Sequence, residues 1–146
     1  MIVLGDAGLN YWLNKTDKKN KKKLSKYPMT FLIIHGNHEA RAESVGTYVS
    51  KEWNGGTVLY EEEYPDILFA VDGEVYQIGD KKAIVIGGAY SVDKEYRISM
   101  CLPWFADEQP SDKIKARVEN QLAKYDWQID YIFSHTAPLK FESVDL

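Results

Sequence analysis

The chain has 146 residues, 45% of them hydrophobic and 27% charged, with a formal net charge of −4. That length suits one domain with its own core, and that balance excludes a disordered chain. The mild acidity argues against a general nucleic-acid or membrane-surface binder, and a lone cysteine, Cys101, excludes an internal disulfide and suits a reducing cytoplasm.

Ile2-Val3-Leu4 is a short apolar run stopped by Gly5-Asp6, which predicts a buried strand ending in a turn. The first eight residues, MIVLGDAG, lack a basic leader and a long apolar stretch, so no signal peptide is expected. Asn14 to Lys26 is polar and holds seven lysines. Aromatics stand only at its edges, Trp12 and Tyr27, so a solvated helix face is expected rather than a nucleic-acid surface. Phe31 to Ile34 predicts a central strand covered on both faces. Ala40 to Ser50 predicts a short helix. Thr57 to Tyr60, Ile67 to Val71, Glu74 to Ile78 and Ala83 to Gly87 are closely spaced strands, with Asp72-Gly73 and Gly79-Asp80 as turns, and predict an antiparallel meander. Gly87 to Tyr90 reads as a strand exit. Trp104-Phe105 reads as core packing, and Asp107 to Pro110 as a loop. Ser111 caps a helix with Ile114, Val118, Leu122 and Tyr125 at helical spacing. Ile129 to Phe133 is a last strand, ending at Ser134-His135. No run reaches the roughly 20 apolar residues of a membrane span. Cys101, in an apolar context with no nearby base, reads as a buried thiol.

Three strands thus end in chemically useful residues: Gly5-Asp6, His35 to Glu39, and Ser134-His135. Sites in open α/β sheets form beyond the carboxyl ends of strands. If these strands are parallel neighbours, Asp6, Asn37, His38 and His135 converge. A carboxylate, an amide oxygen and an imidazole nitrogen suit manganese, iron or zinc. His38, one residue after Asn37, can point a different way and could pass a proton to a leaving oxygen, with Glu39 or another acid fixing its tautomer. Gly36 permits the sharp turn. Arg41 and Arg97 are candidates to grip a substrate phosphate. Tyr90, Ser91 and Asp93 share a loop able to line the pocket, and His35 is expected to pack or support the ligands.

Gly5-Asp6, then Gly36-Asn37-His38-Glu39 after a strand, then His135 within Ser134 to Pro138, resembles the calcineurin-like metallophosphoesterase family over essentially the whole chain. The resemblance implies a four-layer α/β/β/α sandwich with its site at the sheet edges. It implies that Asp6 bridges two divalent metals, that Asn37 and His135 bind the second, and that His38 is the catalytic histidine. The activity implied is hydrolysis of a phosphoester, with nucleic acid entering only as a substrate. The family's Asp-x-His and Gly-His-x-His motifs do not occur, the only histidines being His35, His38 and His135. The expectation is therefore an incomplete domain lacking the first strand and the last motif. It should hold one metal or none, catalyse poorly, and expose a sheet edge open to self-association.

Overall fold

The computed structural model describes residues 1–138. Its apolar runs form two sheets. The first has the order β1-β2-β5-β4-β3, from β1 (Ile2–Val3), β2 (Phe31–Ile33), β3 (Val49–Trp53), β4 (Gly56–Tyr60) and β5 (Ile67–Ala70). β1, β2 and β5 run parallel, with β4 and β3 antiparallel beyond them. The second sheet is β6 (Val75–Ile78), β7 (Lys81–Ile86) and β8 (Tyr131–Ser134), with β7 and β8 parallel. The chain is thus mixed α/β. Among the described residues no helix is long and apolar enough to cross a membrane.

The two sheets share a core. Leu32, Ile34, Val58, Leu68 and Ala70 meet Tyr76 and Val85, with Phe133 packed alongside. Burying each large aliphatic side chain of this set contributes about 2 kcal/mol. The Tyr76 hydroxyl ties the sheets together, accepting from the Val71 N–H and donating to the Thr57 carbonyl. The outer face of the first sheet carries a second cluster, Phe31, Ile33, Ile67 and Phe69 among others, against which Leu24 packs. Leu24 closes α1 (Lys15–Leu24), capped by the Asn14 side chain accepting from the Thr16 N–H. Against β7 lies α3 (Asp112–Lys124), whose Ser111 cap accepts from the Ile114 N–H as expected.

Three expectations fail. Ala40 to Ser50 is not a helix: a single 3-10 turn, Ala42–Ser44, leads into β3. β3 and β4 form a hairpin because Asn54 and Gly55 both take positive φ, the turn geometry that matches strand twist. The meander is divided, because Asp72-Gly73 carries the chain from the first sheet to the second. Asp72 is buried at this crossing, held by Arg41 and by the Gly87 N–H, so the turn is anchored inside rather than exposed at a hairpin tip. Cys101 is exposed, at φ 52° one residue past the Met100 cap of α2 (Lys94–Ser99), a helix with no buried residue.

Candidate functional site

β1, β2 and β8 end at the same place. Beyond β1 the chain turns sharply, with Gly5 at φ 98° and Asp6 at φ 50°. A Cβ on Gly5 would sit on the His135 ring, and one on Gly36 would sit on the Asp6 carboxylate and backbone. The two turns therefore interlock through missing side chains. Asp6 tolerates the left-handed region because a short polar side chain can bond locally. Its Oδ1 accepts from the His38 N–H at 3.0 Å.

Asp6, Asn37, His38 and His135 are brought together. His135 Nε2 lies 2.9 Å from Asn37 Oδ1 and 3.6 Å from Asp6 Oδ2. His135 Nδ1 lies 2.7 Å from the Leu4 carbonyl oxygen. A carbonyl only accepts, so Nδ1 carries the proton, and in the neutral ring Nε2 is a bare lone pair. Asn37 presents oxygen to it, because its Nδ2 donates to Ser91 Oγ at 2.8 Å. Two electron-rich oxygens thus gather around the His135 Nε2 lone pair, an arrangement that a second ring proton, a bridging hydrogen-bond donor or a metal ion would relieve.

The spacing suits a metal. Bonds of about 2.1 Å place neighbouring ligand atoms about 3.0–3.4 Å apart. The observed 2.9 and 3.6 Å bracket that range. The donor set of one carboxylate, one amide oxygen and one imidazole fits a single manganese, iron or zinc ion. Among the described residues no group of three or more His, Cys, Asp or Glu is placed to hold a metal ion, so this donor set depends on the Asn37 amide oxygen for its third member.

His38 stands to one side, its Nδ1 3.3 Å from Asp6 Oδ2 and its Nε2 3.5 Å from Asp93 Oδ1. The flanking acids are therefore Asp6 and Asp93. Of the acids expected to fix this ring, Glu39 or another, it is not Glu39, which lies fully buried behind the turn and accepts from the Gly36 N–H. Burial pushes its carboxyl up to about 7 against the pull of that N–H. His35 is buried too, and burial, with Arg41 and His135 nearby, lowers it to about 3, so it is a neutral packing residue.

The two candidate phosphate-gripping arginines are engaged elsewhere. Arg41 is buried, donating from Nη1 to Asp72 Oδ2 at 2.7 Å and from Nε to the Asp107 carbonyl at 2.8 Å. Arg97, on α2, donates from Nε to Asp93 Oδ2 at 2.8 Å and from Nη1 to the Tyr11 hydroxyl at 3.1 Å. It acts on Asp93, and through it on His38. Tyr90 is exposed on the loop before α2. Sequence reasoning assigned no role to Glu108, a buried carboxylate accepting from the Ser91 N–H, the Ser91 hydroxyl and the Trp104 indole N–H. Asp107 to Pro110 reads as an ordinary polar loop, and only burial distinguishes Glu108 within it. Trp104, expected in the core, is half-buried and serves this carboxylate.

Comparison of the chain with protein-family models, with curated proteins and with solved structures found no match.

Proposed function

We propose that this chain is a calcineurin-like metallophosphoesterase domain with a reduced metal site, built as an α/β/β/α sandwich and acting on phosphoesters. The observation that carries the reading is the approach of His135 Nε2 to Asn37 Oδ1 and Asp6 Oδ2, brought together beyond the ends of β1 and β2 in the first sheet and of β8 in the second. Asp6, Asn37 and His135 would hold one divalent manganese, iron or zinc ion. A bound ion supplies positive charge that polarises a phosphoryl oxygen and acidifies a bound water. The chain's own residues do the rest. The Leu4 carbonyl and Ser91 orient the ligands. His38, between Asp6 and Asp93, is placed to hold a proton for a leaving oxygen, while Arg97 steadies Asp93.

A second reading is binding of metal or phosphate without turnover. It is favoured by the burial of Arg41 and by the internal bonds that hold Nε and Nη1 of both Arg41 and Arg97 away from a substrate phosphate. The outer edges of β1 and β8 are open among the described residues. We propose that they pair with a second copy at high concentration.

Hydrolysis of p-nitrophenyl phosphate and its bis ester with added Mn2+ separates the two readings. His38→Ala should lower any turnover about 100-fold or more, within the usual range for a proton-transfer group, and leave the fold and Mn2+ affinity intact. Turnover that survives His38→Ala rejects its assignment. Turnover absent from the parent chain, with Mn2+ still bound, selects the second reading.

A further inference from the structure

We infer that Ser91 and Glu108 are positioning residues that set which end of the Asn37 amide faces the cation position. The inference rests on reading Asp6, Asn37 and His135 as a cation-holding group. An asparagine can present either an oxygen or an NH2 to a neighbour, and the two ends have nearly the same shape. Only the oxygen can ligate. Nothing in Gly36-Asn37-His38 itself makes that choice.

The choice comes from a chain of directed hydrogen bonds. Glu108 is 4% exposed, and both its oxygens accept: Oε1 from the Ser91 N–H at 3.2 Å, Oε2 from the Trp104 indole N–H at 2.9 Å and from Ser91 Oγ at 2.5 Å. A hydroxyl has one proton. With that proton committed to Glu108, Ser91 Oγ can only accept from its other neighbour, Asn37. Asn37 must then turn its Nδ2 toward Ser91, as it does at 2.8 Å, and its Oδ1 toward His135 Nε2. Ser91 is 1% exposed and Asn37 8%, so solvent has little part in the choice. The ring is fixed independently, by Nδ1–H donating to the Leu4 carbonyl. Two separate bonding chains, one from β1 and one from the loops around α2, thus aim a ring lone pair and an amide oxygen at one point. Without the Ser91 acceptor, the unliganded amide should turn over, because an NH2 donating to the bare Nε2 is better paired than an oxygen facing it.

The test uses the full chain. In metal-free protein, Asn37 side-chain amide protons should show NOEs to Ser91 Hβ in the wild type, and to His135 Hε1 in Ser91→Ala. Identical Asn37 NOEs to His135 in both proteins overturn the inference. In calorimetric titration with Mn2+, Ser91→Ala should weaken binding about 10-fold or more, the usual cost of losing a residue that orients a ligand. In an Asn37→Asp background both ends of residue 37 are oxygens, so adding Ser91→Ala should change Mn2+ affinity by less than about 3-fold on the same reasoning. An equal loss in both backgrounds marks Ser91 as merely structural and overturns the inference. Glu108→Leu, which nearly keeps the size and removes both acceptors, frees the Ser91 hydroxyl proton to turn toward Asn37. It should move the NOEs in the same direction, and replaces Ser91→Ala should that variant fail to fold. A wild type that binds no Mn2+ overturns the cation reading alone, and the NOE comparison then decides the orientation.

Discussion

Gly36 has no room for a side chain, and neither the turn nor Asp6 can move without disturbing the other. Gly36→Ala should destabilise the fold by about 1–3 kcal/mol, the cost of overpacking a tight interior, and abolish Mn2+ binding by displacing Asp6. Urea denaturation and calorimetry check the two parts. Much at this scale was legible. Asp6, Asn37, His38 and His135 announced themselves by standing directly after apolar runs, and the structure brings all four together. The arginines were not legible, because a guanidinium after a motif reads the same whether it faces solvent or a buried carboxylate. Arg41 faces Asp72, a residue that looked like half of a hairpin turn.

Among the elements, α1 is the least satisfied by its own sequence. Lys15, Lys18, Lys19, Lys22 and Lys23 are exposed and lie three or four residues apart, so like charges stack along the helix. Among the described residues none of the five makes an ion pair. Lys19→Glu would replace repulsion by attraction toward Lys15, Lys22 and Lys23. It should stabilise the fold by about 0.5–1 kcal/mol at low salt, read as a rise in the urea midpoint that fades with added salt. Lys21 differs from its neighbours. It is buried, 2.6 Å from Glu61 Oε2, and its ammonium lies 5.0 Å from the Tyr48 ring centre. Burial raises the Glu61 carboxyl, but bonds from Lys21 and the Thr47 hydroxyl outweigh it and leave it below its ordinary value of 4.5. A carboxyl depressed in the fold adds stability above its unfolded value, and that share is lost as pH falls through the lower folded one. Glu61→Gln should therefore flatten the acid side of the stability profile below about pH 5 and change its slope little at neutral pH. The lysine run predicted a solvated helix, and most of it is one. The buried lysine was hidden because its partner lies 40 residues away.

For the molecule as a whole, strand positions were easier to foresee than strand partners. The runs at β1, β2, β5, β7 and β8 are apolar and short, and each became a strand. Which sheet each joins depends on long-range contacts that local pattern does not encode. Asp72-Gly73 therefore looked like a hairpin and is a crossing between sheets. β3 was missed although Asn54-Gly55 signals a hairpin, because the preceding residues suggested a helix. Among the described residues the same layout leaves β1 and β8 at open edges, with Tyr131 and Ile132 exposed on β8. On the proposed pairing of copies, Ile132→Lys should reduce self-association, since a charge on an edge strand blocks strand addition. Sedimentation velocity across a concentration series reads this, and an unchanged mass distribution counts against edge pairing.

The bond from His135 to the Leu4 carbonyl joins residues 131 apart in the chain. Almost the entire polypeptide must be in place before that bond can form, since the closure entropy of so long a loop is offset only once the intervening strands have docked. Asp6 and Asn37 can meet earlier, through the β1–β2 pair alone. The centre should thus be completed late in folding, when β8 docks. A cation that needs His135 binds only the finished molecule, so it would slow unfolding without speeding the first steps of folding. Stopped-flow refolding with and without Mn2+ would time the birth of the site against the collapse of the two sheets.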